Sequence, residues 1–121
     1  MHTIAVYGTL RKGYGNHRLL RAAKPLGNAL VTGYAMHSLG GFPAITPGVG
    51  TVTVELFEVD DQALTACDHL EGHPNWYART PATTTTGKAC EIYVMPASKL
   101  DGRLGHNTLI ASGDWKTCRR S

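Results

Sequence analysis

Residues 51–59, T-V-T-V-E-L-F-E-V, are the longest candidate β-strand of the chain. Successive side chains of a strand point to opposite faces, so Val52, Val54 and Leu56 share one face and Phe57 lies on the other. A strand with apolar side chains on both faces is typical of a sheet that is covered on both sides or closed into a barrel. This segment therefore predicts a fold built on a sheet whose two faces are both covered.

Shorter β-rich segments surround this strand. Further strands are predicted at residues 3–7, 26–32, 34–39, 77–86 and 89–95. The last two are predicted to form a hairpin around Gly87 and Lys88. Glycine and proline are concentrated in residues 8–15 and 40–50, which are therefore predicted to be loops.

Two segments have helical patterns. A short helix is predicted over residues 18–23, with Asn16 as its N-cap, and another over residues 62–70, with Asp60 or Asp61 as its N-cap. Many strands and few helices predict an α+β fold, a small mixed β-barrel of about five to seven strands with two short helices outside.

The composition indicates one globular domain over residues 1–121 and excludes several classes of protein. The chain has 121 residues, of which 42% are hydrophobic, and a net charge of +3, which is too weak to indicate a nucleic-acid-binding protein. It has no apolar run long enough to span a membrane and no visible secretory signal. The cysteines are Cys67, Cys90 and Cys118, an odd number without a C-x-x-C pair, so free thiols and a cytoplasmic location are expected.

The first candidate site follows the first predicted strand, at Tyr7, Gly8, Thr9 and Leu10. Consecutive backbone N–H groups in a glycine loop can bind an anion, and glycine lets a ligand approach the backbone closely. An ordinary strand-to-loop turn is the alternative. A phosphate-binding Walker loop is excluded because no Lys-Ser/Thr pair follows Gly13.

The second candidate is Glu71, which follows the second predicted helix and lies between Leu70 and a loop that contains Trp76 and Tyr77. Apolar neighbours raise the pKa of a carboxyl group, which suits a general base. A solvent-exposed glutamate at a helix end is the alternative. Glu55 is the competing carboxylate, and its place within a strand predicts a semi-buried, hydrogen-bonded, structural role.

Histidine and cysteine give weaker signals. His69 and His73 bracket Glu71 at a metal-ligand spacing, but Gly72 and Pro74 break the continuous helix that this spacing requires. Cys67 lies on the apolar stripe of the predicted helix, so a packing role is favoured over that of a nucleophile.

Basic residues are concentrated around the first loop and the first helix. They are Arg11, Lys12, Arg18, Arg21 and Lys24. A solvated basic face is the ordinary interpretation, and phosphate or nucleic-acid binding is the alternative.

Several motifs together resemble one known family. They are V-Y-G-T-L at residues 6–10, L-G-G-F-P-A at 39–44, V-E-L-F-E-V-D at 54–60, D-H-L-E at 68–71 followed by Y-A-R at 77–79, and S-G-D-W at 112–115. In this order they resemble the gamma-glutamylcyclotransferase-like family. The resemblance is closest to its small members, which include gamma-glutamylamine cyclotransferase and related bacterial proteins.

The resemblance implies a small mixed β-barrel with a pocket at one mouth, no metal and no cofactor. It implies that the backbone of Tyr7, Gly8, Thr9 and Leu10 holds the carboxylate of a small-molecule gamma-glutamyl substrate and that Glu71 is the catalytic residue. Further pocket residues are expected to be Phe42, Pro43, Tyr77 and Tyr93, with the two tyrosines as walls or as hydroxyl donors. A non-catalytic module on the same fold that binds a small carboxylate or a nucleotide is the alternative function.

The implied reaction is an intramolecular aminolysis that releases 5-oxoproline and a free amine or amino acid. The attacking α-amine, with a pKa of about 7.7–8.0, must first lose a proton, and an ordinary glutamate has a pKa of about 4.3. That transfer is uphill by about 3.5 units, or about 5 kcal/mol. A raised pKa at Glu71 would reduce this difference, which is a physical reason for the apolar residues around it.

Overall fold

The computed structural model describes residues 1–39, 42–96 and 109–115. In chain order its strands are β1 (His2–Val6), β2 (Lys24–Ser38), β3 (Pro43–Val59), β4 (Ala78–Thr83) and β5 (Ala89–Val94). A short 3₁₀ helix, Gly15–Leu20, follows β1, and one α-helix, α1 (Asp61–Glu71), follows β3. The strands form one five-stranded sheet in the order β2-β3-β1-β5-β4.

The sheet is mixed, which confirms the α+β class. Only β1 and β5 pair in parallel, while the other neighbouring strands are antiparallel. The predicted closure into a barrel is wrong for the described residues, because β2 and β4 are the two edges of the sheet. Single backbone hydrogen bonds, from Thr85 N to Leu30 O (2.9 Å) and from Met95 N to Ile45 O (3.0 Å), connect distant parts of the sheet without forming a ladder.

The alternation within β3 is confirmed, and both faces are buried. Phe57 and Val59 pack under α1 and the 3₁₀ helix, together with Leu20, Leu64 and other residues of one apolar cluster. The opposite face holds a second cluster, whose members on β3 are Ile45, Val52, Val54 and Leu56. The second face is covered by the half of the β2–β3 hairpin that does not pair with β1. Met36 and Ile45 of this half belong to the second cluster, and Ile45 O accepts from Met95 N, so this half bends over the sheet. Strong curvature thus achieves the burial for which barrel closure was predicted.

Residues 43–50 were predicted to be part of a loop, and this prediction is wrong because they form the first half of β3. In the ladder, residues 43–47 and 51–54 pair with β2 alone, residues 55–58 pair with both β2 and β1, and Val59 pairs with β1. Proline lacks an N–H donor and is tolerated where one side of a strand makes no ladder. Pro43 and Pro47 can therefore belong to this half of β3.

The first helix also differs from its prediction. It is a 3₁₀ helix that begins at Gly15, and Asn16 is not its N-cap; the cap position is Tyr14, without a side-chain hydrogen bond. The Asn16 side chain instead donates to Thr9 Oγ1 (2.9 Å). The predicted hairpin of β4 and β5 is confirmed. Neither helix in the described ranges has the length and apolar character that crossing a membrane requires.

The second helix is confirmed with small changes at its ends. The Asp60 carboxylate accepts from Ala63 N (2.8 Å), so Asp60 rather than Asp61 is the N-cap. At the other end, Gly72 has a φ of 66°, the left-handed conformation that ends many helices and favours glycine. The helix therefore ends at Glu71.

Candidate active site

A cavity of about 410 Å³ lies where β1 and β5 end. It brings together residues from β1 and the loop after it, the start of β3, the end of α1 and the end of β5. All of the predicted site residues line it: Tyr7, Gly8, Thr9, Leu10, Phe42, Pro43, Glu71, Tyr77 and Tyr93. The cavity also has lining residues that the sequence analysis did not assign to a pocket, namely Ala5, Val6, Asn16, Leu70 and Trp76.

The loop after β1 presents unused backbone donors to this cavity. Within the described parts of the chain, no group accepts a hydrogen bond from the N–H of Gly8, Thr9 or Leu10. Two of the three carbonyls of residues 8–10 are occupied, since Gly8 O accepts from Arg11 N (3.0 Å) and Leu10 O lies 3.0 Å from Nδ1 of His17. The loop therefore offers donors and few acceptors, an arrangement that favours an anion.

Gly8 is required at its position because of close packing. A Cβ atom on Gly8 would lie 2.8 Å from both Cδ and Cγ of the Pro43 ring. The Pro43 ring, at the start of β3, therefore packs directly against the space that a side chain at position 8 would occupy. The pairing of the Y-G-T-L and F-P motifs in one wall of the cavity follows from it.

The end of α1 places Glu71 beside the cavity. Gly72 reverses the chain after the helix, and its carbonyl accepts from Trp76 N (2.8 Å). The carbonyl of Glu71 accepts from Tyr77 N (3.1 Å), which brings the aromatic residues back against the helix end. A side chain at position 72 would meet Cβ of Trp76 at 2.9 Å, so glycine is needed here for space as well as for its positive φ.

The Glu71 carboxylate is half-buried and poorly stabilised in its charged form. No described residue donates a hydrogen bond to it, and no described cation pairs with it. Burial among apolar walls raises the pKa of Glu71 from 4.5 to about 7. This carboxyl group therefore exchanges its proton near neutral pH.

Three tyrosines form the cavity wall, and their hydroxyl protons are engaged within the protein. Tyr7 donates to Tyr93 O (2.6 Å), Tyr77 donates to Pro43 O (2.8 Å), and Tyr93 donates to Asp68 Oδ1 (2.7 Å). Burial raises the pKa of all three above the usual value, so they stay neutral. Their role in this structure is that of walls rather than of hydroxyl donors to a ligand.

Asp68 has a structural role at the base of this wall. Besides accepting from Tyr93, it pairs with the guanidinium of Arg79, which also lies 3.4 Å from a Glu91 carboxylate oxygen. The D-H-L-E and Y-A-R motifs thus meet in an ion pair that fixes the Tyr93 ring.

Glu55 is placed very differently from Glu71. It is 8% exposed and accepts from Arg11 Nε (3.0 Å) and from Lys12 N (2.8 Å). Arg11 is 3% exposed and also donates to Asp114 Oδ1 (2.7 Å). The hydrogen-bonded, structural role predicted for Glu55 is confirmed, whereas the interpretation of Arg11 as part of a solvated basic face is wrong. Nothing in the sequence indicated its partners, because they lie 44 and 103 positions away.

The remaining candidates do not form a reactive centre. His73 Nδ1 accepts from Arg79 N (2.9 Å), and Cys67 is fully buried in the apolar cluster, where burial raises its pKa to about 11. The described residues contain no group of three or more His, Cys, Asp or Glu side chains that could hold a metal ion. Of the predicted polar tail over residues 96–121, only residues 96 and 109–115 are described, and Trp115 is buried there as the expected anchor.

Comparison with known proteins agrees with the motifs. The family model described as "Gamma-glutamyl cyclotransferase, AIG2-like" matches residues 4–117. The gamma-glutamylcyclotransferase family protein YtfP of Escherichia coli (strain K12) is 36% identical over 113 residues, which are 93% of this chain and 94% of that protein. Its name gives the family and no substrate.

Two solved structures have the same fold. An uncharacterized protein of Pyrococcus horikoshii superposes with a TM-score of 0.78 at 30% identity, over 96% of this chain and 91% of that one. An AIG2-like protein of Mus musculus superposes with a TM-score of 0.77 at 26% identity, over 95% and 88%. The chain therefore belongs to the AIG2-like gamma-glutamyl cyclotransferase family.

Proposed function

We propose that the chain is a gamma-glutamyl cyclotransferase that releases 5-oxoproline and a free amine or amino acid, with Glu71 as its general acid and base. The observation that carries the proposal is the position of Glu71. Its carboxyl group, with a pKa of about 7, lines the same cavity as the unused N–H groups of residues 8–10. One group can move protons near neutral pH, and the other group can hold an anion.

The raised pKa of Glu71 makes the first proton transfer nearly balanced. The α-amine of the substrate has a pKa of about 7.7–8.0, so transfer to a carboxylate of pKa about 7 is uphill by about one unit, or about 1.4 kcal/mol. An ordinary glutamate would face about 5 kcal/mol. Burial of Glu71 thus removes most of this part of the barrier.

The atoms of the reaction balance with one carboxyl group. The α-nitrogen forms a bond to the γ-carbonyl carbon, and the bond from that carbon to the leaving nitrogen breaks. The α-ammonium starts with three protons and ends as the ring amide with one, while the leaving nitrogen gains two and departs as an ammonium. Glu71 carries these protons one at a time, as base and then as acid, and returns to its starting state.

The cavity contributes mainly by orientation. Effective molarities of about 10⁵ M or more are reached when a tethered nucleophile is held in line with its target. We propose that the loop N–H groups hold the substrate's carboxylate while the walls formed by Tyr7, Tyr77 and Tyr93 exclude water from the reacting atoms. The engaged tyrosine hydroxyls support this, because rigid walls favour one bound geometry.

The test compares Glu71→Gln with wild type on gamma-glutamyl amino acids and gamma-glutamyl amines, with 5-oxoproline as the readout. Loss of a general acid and base predicts a fall in kcat of about 10²–10⁴-fold. Glu58→Gln, on the neighbouring strand β3, is the matched control and should keep wild-type activity. Full activity in Glu71→Gln would refute the role of Glu71, and an inactive wild type on every gamma-glutamyl compound would refute the reaction.

The pH profile gives a second readout. Because the base form of free Glu71 is needed, kcat/KM should rise with pH through about 7 and not through about 4.5. A rising limb near 4.5 would mean that the base is a solvated carboxylate, which would contradict the raised pKa of Glu71.

The alternative, a module that binds nucleotides or small carboxylates without catalysis, drew its support from cations near the first loop. Arg11, one of these cations, is occupied by Glu55 and Asp114, and so offers little to a phosphate. The described cysteines, Cys67 and Cys90, are free thiols, which fits the cytoplasmic location that we propose.

A further inference from the structure

A buried ion network lies directly behind the loop that lines the cavity. Glu55 of β3 accepts from the Arg11 side chain through Oε2 (3.0 Å) and from the backbone N–H of Lys12 through Oε1 (2.8 Å). Arg11 uses a second nitrogen to donate to Asp114 (2.7 Å). Burying charges is costly unless they are paired, so the groups of this network hold each other in place.

The network controls the conformation of the loop at its base. Arg11 N closes the turn by donating to Gly8 O (3.0 Å), and the next backbone N–H, that of Lys12, is held by Glu55. Gly8 itself is held against Pro43. The loop is therefore fixed on both sides, and between these two points the N–H groups of residues 8–10, which line the cavity, have no described acceptor.

The third member of the network, Asp114, belongs to a separate segment of the chain, residues 109–115. Gly113 O accepts from Thr53 N (2.7 Å), and a Cβ atom at position 113 would lie 1.9 Å from Thr51 O. Only glycine fits there, and its φ of 69° is the left-handed conformation. The S-G-D-W motif thus docks on β3 and places Asp114 against Arg11.

We propose that Glu55 is a positioning residue for the carboxylate of the gamma-glutamyl group. It acts through Arg11 and Lys12 to aim the N–H groups of residues 8–10 into the cavity, and Asp114 supports it through Arg11. This inference rests on the proposed function for the identity of the ligand. Glu55 thus contributes to substrate binding without contacting the substrate.

The test is a graded series of variants. Glu55→Gln is isosteric and can still accept from Lys12 N, but its amide group is a poor partner for the Arg11 guanidinium. Asp114→Asn removes only the outer charge and is the milder variant if Glu55→Gln fails to fold. Glu58→Gln, an acid three positions along the same strand and on its other face, is the matched control.

The kinetic readout separates positioning from a merely structural role. For Glu55→Gln we expect KM to rise at least about tenfold while kcat changes less than about threefold, because the loop binds substrate and Glu71 moves the protons. Asp114→Asn should raise KM less, and Glu58→Gln should leave it unchanged. The limb of the pH profile near 7 should stay in place in all three variants, since Glu71 keeps its surroundings.

A binding measurement makes the outcome independent of turnover. Calorimetric titration with L-glutamate and with 5-oxoproline should give the same order of weakening, largest for Glu55→Gln and absent for Glu58→Gln. If a folded Glu55→Gln protein binds both compounds and turns over substrate with a wild-type KM, the positioning role is overturned and the proposed function stands. If Glu55 governs binding but wild type forms no 5-oxoproline, the positioning role stands and the proposed function fails. If wild type binds neither compound, the positioning role is overturned.

Discussion

Glu55 and Glu71 both lie close to the loop that follows β1, but their carboxyl groups have contrasting surroundings. Glu55, in the middle of a paired strand, has a guanidinium and a backbone N–H as partners for its charge. Glu71, at the end of a helix, lines the cavity and accepts from no described donor, and burial raises its pKa to about 7. The hydrogen-bonded carboxylate of Glu55 fixes the structure around it, whereas Glu71, without a described partner, exchanges a proton near neutral pH.

The two carboxylates also belong to different kinds of secondary structure. Glu55 lies where β3 pairs with both β1 and β2, so its backbone is held from two sides. Glu71 lies where α1 ends and the chain reverses through Gly72. The paired strand therefore holds the Glu55 carboxylate in a fixed position, and the end of the helix places the Glu71 side chain in the wall of the cavity.

The largest expected effect comes from removing the partner of Glu55. Arg11→Met leaves a buried carboxylate without its cation, and breaking such a pair costs about 3–5 kcal/mol. Urea unfolding at pH 7 should record a loss of this size. Arg21→Met, a change at an exposed arginine of the same segment, should alter stability by less than about 0.5 kcal/mol. Equal effects of the two changes would contradict the burial of charge at Glu55.

The next effect has the opposite sign and concerns Glu71. Its folded-state pKa of about 7 lies above the ordinary value of 4.5, so the folded protein binds more protons than the unfolded chain between these pH values. Stability attributable to this group is therefore present below pH about 4.5 and is lost as pH rises to about 7. Glu71→Gln removes the free-energy cost of holding a charged carboxylate there and should be more stable than wild type by about 3 kcal/mol at pH 8, with no difference at pH 4.

Urea unfolding of Glu71→Gln and wild type at the two pH values checks this. A constant difference between the proteins at pH 4 and pH 8 would show that the Glu71 carboxylate is solvated. The same variant is expected to lose activity, so a gain in stability together with a loss of turnover would mark a residue kept for chemistry.

A smaller effect concerns Tyr77 in the wall of the cavity. Tyr77→Phe removes the hydroxyl that donates to Pro43 O (2.8 Å) and leaves that buried acceptor without its tyrosine partner. A loss of about 1–2 kcal/mol is expected. Because Pro43 packs on Gly8, KM should also rise by a few-fold. Thermal unfolding and steady-state kinetics measure the two effects, and an unchanged KM would mean that Pro43 keeps the loop in place without Tyr77.

The smallest effect tests whether Glu71 depends on its whole helix. Asp60→Ala removes the N-cap contact to Ala63 N and should cost about 1 kcal/mol. The rising limb of the kcat/KM profile should remain near pH 7, because Asp60 lies at the far end of α1. A shift of that limb would show that the helix start also controls the surroundings of Glu71.

Local sequence patterns predicted much of this molecule. The alternation in residues 51–59 predicted a strand buried on both faces, and Asp60 and Gly72 marked the ends of α1. These features follow from period-two alternation and capping chemistry, which involve neighbours in the chain. Residues 43–50 were predicted wrongly because glycine and proline indicate a loop locally, while the strand forms only through its partner β2. Barrel closure was predicted because the sequence cannot say how a covered face is covered.

The candidate site divides in the same way. Local patterns in the chain identified the groups that suit the chemistry: a glycine loop after a strand, and an acid between apolar residues beyond a helix. The folded chain brings these groups to one cavity, leaves Glu71 without a described donor and gives Glu55 the Arg11 guanidinium as a partner. The state of a buried carboxyl group depends on its desolvation and on its partners. The partner of Glu55 and the walls around Glu71 come from segments that are distant in the chain and become adjacent on folding.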